Sequence, residues 1–482
     1  MFFIGIDIGT TSICAILYDS GHDKVVKELH GENHFLPGEG FMQDPEEIAG
    51  TSRRLLEGLL EDICPERKES LYREERPGHR ENEGPQIGGI GISSQMHGIL
   101  YVNREGKAVS PFYTWKNEWG NESYRDGKSY AEYLSEQTGM KLYSGYGSVT
   151  HFYLQKKGLI PKEAVAFVNI GDYFAMELTG SIKFLADVTI AASFGGFDLK
   201  RRQFDLSAME TAGVDVSYYP EVTEGKEAGV FEGIPVFCAV GDNQASFLGA
   251  IKDKDGSVSV NVGTGSQVSV FSEELYETGK GEVRPFPGGG WLYVGASVNG
   301  GKVYERLAVF FKEIMDSFGA GVEQGAVYEI MERLGRDKKE TDLMVRPSLY
   351  GVRENARGER IRENGAEETV REGGREETAA AVSGIFGLKE DNFHASDLVR
   401  GFVSGMADEL YELYLGFPEE LRRGKSGITA SGNGIRKNPL LKEEIEKLYK
   451  LPVSFTDREE EAATGAAVMA ENLVHSLCNK LL

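Results

Sequence analysis

Residues Cys238–Gln267 read CAVGDNQASFLGAIKDKDGSVSVNVGTGSQ, and two signals meet there. The run opens on an acidic turn, Gly241-Asp242-Asn243-Gln244, passes through small residues, and ends as a strand-like segment closed by a Gly/Thr/Ser loop at Gly263–Ser266. That loop has a counterpart near the N-terminus. SVNVGTGS (Ser259–Ser266) lies over GIDIGTTS (Gly5–Ser12) without a gap, which sets Asn261 on Asp7. The chain therefore reads as a tandem duplication with Asp242 at its joint.

A length of 482 residues exceeds what one hydrophobic core ordinarily serves, and with the repeat it points to two domains. The composition, 40% hydrophobic and 27% charged, is that of a soluble globular protein. A formal charge of −23 repels nucleic acid and anionic lipid, so neither is an expected partner. A polyanionic ligand would need backbone amides or a divalent cation to hold it. Cys14, Cys64, Cys238 and Cys478 are scattered without a C-x-x-C pair and read as reduced thiols of a cytoplasmic protein. The opening MFFIGIDIG has no basic n-region, and no apolar run reaches bilayer length, so neither a leader nor a membrane span is expected.

In chain order, two apolar runs, Phe2–Asp7 and Ile13–Tyr18, flank the first small loop as an expected antiparallel hairpin. Asp44 caps an expected helix with Pro45 at its first position and Ile48, Leu55, Leu56, Leu59 and Leu60 on one face. Residues 65–86 and 353–378, charged and nearly devoid of apolar side chains, are expected surface insertions. Ile87–Ser93 reads as a buried strand delivering Gln95, Met96, His97 and Gly98 at its end. Gly300 and Gly301 precede a helix with the face Val303, Leu307, Phe310, Phe311 and Ile314. Helices are also expected over Leu440–Tyr449 and Glu460–Val474, with a strand at Pro452–Phe455. Alternating strand and helix signals make both halves α/β.

The chemistry-bearing residues admit two readings each. A Gly/Thr/Ser turn between strands is either a plain hairpin or a nest of amides and hydroxyls suited to phosphate; its recurrence in both repeats favours the nest. Only the first repeat sets a carboxylate, Asp7, beside its loop, where magnesium could be held directly or through water. Asp242 is either a turn-forming residue or a general base that takes the proton of an attacking hydroxyl. His97 and Trp115 suit a sugar face or an ordinary core. No Cys, His and Asp set has zinc-ligand spacing, and there is no G-x-S-x-G elbow. Gly424-Lys425-Ser426 resembles the end of a P-loop, but Glu419 occupies the place of its first glycine; Gly263-Thr264-Gly265 lacks the third glycine of a dinucleotide fingerprint.

Assembled, these residues resemble the FGGY carbohydrate kinases over nearly the whole chain outside the two charged segments. The family's first phosphate motif, D-x-G-T-[ST], is matched by Asp7, Gly9, Thr10 and Thr11 with Ser12 following; its G-D-x-x-[AS] turn by Gly241, Asp242 and Ala245; its second phosphate motif by Gly263, Thr264 and Gly265. The adenosine loop looks like Ser431-Gly432-Asn433-Gly434 with Asn438 after it, and Glu461–Ala467 (EAATGAA) is similar to the C-terminal helix. Gln95-Met96-His97-Gly98 resembles the sugar-contacting loop. Shorter segments, Thr114-Trp115, Gly145–Thr150, Ala296–Gly301 and Leu451–Phe455, are similar to the sedoheptulokinase branch. Where the family usually has W-x-D-x-R, this chain has Trp115, Lys116, Asn117 and Trp119, a departure on substrate-facing ground.

The resemblance implies an α/β fold of two ribonuclease H-like domains, of the actin, hexokinase and heat-shock ATPase superfamily, over residues 1–241 and 242–482 with an interdomain cleft. It implies ATP with Mg2+ as cofactors and a small sugar as partner. Asp242 would be the catalytic base and, with Asp7, a metal ligand. Thr10, Thr11, Ser12, Gly263, Thr264, Gly265, Gly432, Asn433 and Asn438 would hold the nucleotide, and Gln95, Met96, His97, Trp115, Asn117, Asp187 and Asn243 the sugar. The expected reaction is phosphorylation of the terminal hydroxyl of a ketose, sedoheptulose, by a monomer or homodimer. Xylulose or another pentulose is the alternative. A sugar sensor and an actin-like ATPase are more remote; a chain that opens inside its first strand leaves no room for a preceding helix-turn-helix.

Overall fold

A computed structural model of the chain describes residues 1–38, 41–63, 86–278, 281–351, 383–458 and 460–481. Apart from Gln86, the segment 65–86 lies outside the described residues, as does 353–378. The chain forms two compact units. The first comprises Met1–Lys252, Arg284–Gly290 and Arg458–Leu482, and the second Asp253–Val283 and Trp291–Asp457. Gly241 and Asp242 thus belong to the same unit, and the C-terminal segment returns to it.

In the first unit, β1 (Phe2–Ile8), β2 (Ser12–Asp19) and β3 (Lys24–Glu32) form an antiparallel meander, and β4 (Ile87–Ser94) lies parallel to β1 on its other side. β5 (Ile234–Phe237) and the two-residue β6 (Val240–Gly241) both run parallel to β4. The period of two along β1 sorts its side chains between two cores. Ile4, Ile6 and Ile8 join Ile48, Leu56, Leu59 and Leu60 of α1 (Pro45–Ile63). Phe3 faces the other way, with Cys14 and Ile16 of β2, against Ala463 and Ala467 of the C-terminal helix Glu461–Leu481. By the same alternation Asp7 falls on that second face. α1 begins as its sequence predicts, Asp44 Oδ1 accepting from the Glu46 amide at 2.9 Å.

The C-terminal helix runs to Leu481, seven residues beyond its expected end at Val474. Its small residues explain what it does. A Cβ at Gly465 would stand 1.9 Å from the carbonyl oxygen of Ala245, so only a bare backbone lets this helix cross α2 (Asp242–Ala250) so closely. The helix that begins at Asp242 is clamped by the end of the chain.

The second unit repeats the plan. β7 (Ser257–Val262) and β8 (Ser266–Ser272) are an antiparallel hairpin, β9 (Trp291–Ser297) extends it beyond β8, and β10 (Gly427–Ser431) and β11 (Val453–Phe455) follow β7 in parallel. The order β9-β8-β7-β10-β11 matches β3-β2-β1-β4-β5 strand for strand, with the same sequence of antiparallel and parallel neighbours. The duplication read from two octapeptides thus extends over five strands of each sheet. One expectation is corrected. In α3 (Gly301–Ser317) the buried stripe is Val303, Tyr304, Leu307, Ala308 and Phe311, while Phe310 and Ile314 fall on its margin, 47% and 41% exposed. Among the described residues no helix is long and apolar enough to cross a membrane.

Candidate active site

The carboxyl ends of parallel strands are where open α/β sheets place their ligands, because strand ends and helix starts converge there. β1, β4 and β6 end together in this way. Asp7 is the Cα partner of Ser93 on β4, and Ser93 is in turn the partner of Val240 on β6. Asp242 follows Gly241 directly as the first residue of α2. The sheet thereby holds Asp7 and Asp242 on either side of the end of β4.

Their electrostatics agree with that placement. Burial pushes the Asp7 carboxyl up to about 7; the Ser93 hydroxyl, donating to it at 2.6 Å, pulls it back, and the charges of Asp242 and Glu460 push it further. Asp242 is pushed up to about 6 by burial, against the pull of the Arg284 charge and the Asn243 amide. Two half-buried carboxylates whose proton affinity burial raises are a hard-oxygen donor set, which fits magnesium held partly through water.

The sugar-side candidates form a network on the first phosphate loop. Gln95 is fully buried. Its amide nitrogen donates to Gln43 Oε1 at 3.0 Å and to the Gly9 carbonyl at 3.4 Å, and its Oε1 accepts from the Thr10 hydroxyl at 3.1 Å. Trp115, 42% exposed, donates its indole N–H to the same hydroxyl at 2.9 Å. Thr10 is therefore the hinge point between phosphate loop and aromatic face, while Thr11 and Ser12 are exposed beside it. His97 adopts φ +72°, uncommon for a residue with a Cβ. Ser193 holds it there, accepting from the His97 amide at 2.9 Å through its hydroxyl and facing the ring Nδ1 at 2.6 Å with its carbonyl; Tyr146 stacks on the ring at 4.5 Å. Met96 is buried, its sulfur 3.8 Å from an Arg284 nitrogen.

Two of the expected sugar residues serve the framework in this structure. Asn117 is buried and accepts from the Trp119 amide at 3.0 Å. Asp187 is 1% exposed with both oxygens engaged, one capping a short helix through the Thr189 amide and hydroxyl at 3.0 and 2.8 Å, the other accepting from the Gly225 amide at 3.1 Å. Asn243 is half-buried at the start of α2. Sequence reasoning missed Ser93, Gln43, Arg284 and Glu460. Ser93 was legible as the polar end of an apolar strand; Arg284 carried no local signal, since it reaches the site only because residues 284–290 return to the first unit.

In the second unit Gly263, Thr264 and Gly265 form the β7–β8 turn, with Thr264 exposed. The Gly263 carbonyl accepts from the Gly301 amide at 2.8 Å, which fixes the start of α3 against the loop. Gly432 stands at φ +85°, and a Cβ there would lie 2.5 Å from the Val262 carbonyl oxygen, so the Gly432-Asn433 turn needs glycine twice over. Exposed Asn433 opens the helical turn Asn433–Arg436. Asn438 is buried and caps the helix Pro439–Tyr449, accepting from the Leu441 amide at 3.1 Å. The structure thus groups the phosphate-loop glycines with Gly432 and Asn433, and sets Asn438 in a capping role.

Residues 2–249 match the N-terminal domain of the FGGY family of carbohydrate kinases. The chain is similar to the sedoheptulokinase of Mus musculus, 25% identical with 97% of this chain and 96% of that protein aligned, and to that of Homo sapiens, 24% identical over the same shares. In fold it is similar to a xylulose kinase from Rhodospirillum rubrum, with a TM-score of 0.74, 18% identity, and 98% of this chain and 91% of that one covered.

Proposed function

Because the chain belongs to the FGGY family of carbohydrate kinases, we propose that it transfers the γ-phosphoryl group of ATP to the terminal hydroxyl of sedoheptulose, giving sedoheptulose 7-phosphate. The observation that carries the chemistry is the placement of Asp7 and Asp242 on either side of one strand end, each with a raised proton affinity. Asp242 accepts the proton of the attacking hydroxyl. A base poised near 6 is largely ionised at neutral pH and still basic enough to share a proton as the oxygen approaches phosphorus. Asp7, with Asp242, would hold magnesium, which when bound supplies charge neutralisation at the phosphates. Thr10, Thr11 and Ser12 orient the transferred group; Gly263, Thr264, Gly265, Gly432 and Asn433 hold the nucleotide with bare backbone and short polar side chains.

Residues 1–241 carry most of the sugar-binding groups and 242–482 most of the nucleotide-binding ones. Gln95, Met96, His97 and Trp115 orient the ketose, with Asn117, Asp187 and Asn243 shaping the wall around it. Sedoheptulose as substrate is supported by the end-to-end alignment with the mouse and human sedoheptulokinases. The test is ADP release with ATP and magnesium across sedoheptulose, D-xylulose, D-ribulose, L-ribulose, gluconate and glycerol. Preference for sedoheptulose supports the reading; preference for a pentulose keeps the mechanism and replaces the substrate; no turnover with any sugar overturns both.

A further inference from the structure

A row of polar side chains crosses the first unit's sheet on the face of the C-terminal helix. Register pairs His30 of β3 with Cys14 of β2, Cys14 with Asp7 of β1, and Asp7 with Ser93 of β4. Glu460, just before the C-terminal helix, completes a cluster at one end of this row. The Cys14 sulfur, a His30 ring nitrogen and a Glu460 carboxylate oxygen all lie within 4.8 Å of one another. Cys14 is 4% exposed, whereas the His30 side chain is half exposed, so the cluster has a buried floor and an open side. Glu460 stands at φ +48°, left-handed backbone that a residue with a Cβ adopts only when its surroundings hold it there. Glu28 lies beside the open side, 3.7 Å from His30 Nε2.

We propose that Cys14, His30 and Glu460 form a site for a thiophilic divalent cation, Zn2+ in chemical class, distinct from the hard-oxygen pair Asp7 and Asp242. One thiolate, one imidazole and one carboxylate with an open fourth position is a tetrahedral zinc donor set; magnesium would reject the sulfur and the nitrogen. Zinc bond lengths of about 2.0–2.3 Å ask the three donor atoms to close by roughly 1 Å from their present spread, within side-chain freedom. On binding, the Cys14 thiol loses its proton to solvent and the sulfur bonds the ion. The cation then sits one strand from Asp7. Resting on the phosphoryl-transfer reading above, its charge opposes magnesium at Asp7, so the site is inhibitory.

The binding test is independent of that reading. The purified full chain is titrated with Co2+ and its absorption followed. One ion per chain with a thiolate-to-cobalt charge-transfer band, displaced by Zn2+, is expected. Cys14→Ser should abolish the band, and His30→Gln, at a half-exposed position whose replacement leaves the core intact, should weaken binding about 100-fold. Absence of the band, or a band unchanged in both variants, overturns the site. Separately, Zn2+ should inhibit ADP release from the parent chain and inhibit His30→Gln at least about tenfold less strongly. Equal inhibition of the two overturns the regulatory role.

Discussion

Asp7 accepts a 2.6 Å hydrogen bond from Ser93 across two parallel strands, and the duplicated position repeats the pairing with its polarity reversed, Asn261 donating to Ser431 at 2.7 Å. One ancestral contact has become a carboxylate site in the first unit and a neutral amide in the second. A carboxylate beside a phosphate loop is useful only where a cation can stand between them. Asp7→Asn should therefore raise the magnesium concentration needed for half-maximal turnover by about tenfold or more while nucleotide binding survives. Asn261→Asp keeps its serine partner but adds negative charge beside the second loop, and should weaken ATP binding by about tenfold. Calorimetric titration of nucleotide against each variant separates the two effects.

The raised proton affinity of Asp242 has an observable limb. A base must be ionised to act, so kcat/KM should fall at least about tenfold per pH unit below an apparent pKa near 6, with protonation of Asp7, pushed up to about 7, adding to the fall. A profile flat down to pH 4.5 would remove Asp242 from the role of base.

The same carboxylate costs stability. Its folded-state pKa lies above the ordinary 3.8, so the protonated form is the one the fold favours. Stability is fully present below about pH 4 and is lost as pH rises through about 6. Asp242→Asn removes that loss. It should lower turnover by roughly two orders of magnitude or more and yet melt a few degrees above the parent at pH 8, the difference vanishing near pH 4. Melting curves at the two pH values check the sign.

Gln95 is buried and makes three polar contacts to the first phosphate loop and Gln43. Gln95→Leu keeps the volume and strands the Gln43 amide oxygen, while the Gly9 carbonyl keeps its bond from the Asn33 amide at 2.9 Å. It should cost about 1–3 kcal/mol in chemical denaturation and raise the KM for sugar, because Thr10 then loses the acceptor that aligns it under the Trp115 indole.

How much of this was legible follows the range of the interaction. Short-range chemistry was: the Gly/Thr/Ser hairpins and the Asp44 cap depend on neighbours a few residues away. Asp187 and Thr189 spell a capping pair as plainly. What the chain alone hid were meetings of distant segments. Arg284 reaches Asp242 through a return of seven residues to the first unit, and Cys14, His30 and Glu460 share no spacing because three separate elements carry them. Phe310 and Ile314 misled for a different reason, since helical periodicity marks an apolar stripe without fixing how much of its width a partner covers.

The C-terminal helix offers a test of how Asp242, the proposed base, is held. A Cβ at Gly465 would come within 1.9 Å of the Ala245 carbonyl oxygen, three residues along α2 from Asp242. Backbone cannot rotate away as a side chain can, so Gly465→Ala must push α2 and carry Asp242 with it. The cost should be about 1–3 kcal/mol, as for other overpacked contacts. Turnover should fall by a larger factor than ATP affinity, because the nucleotide-holding glycines lie in the other unit. Gly325→Ala is the control: it sits in the helix Gln324–Asp337 with nothing within 4 Å of the added carbon, and helix propensity alone should stabilise it by up to about 1 kcal/mol. If both variants left kcat unchanged, the clamp of the C-terminal helix on α2 would have no part in placing the base.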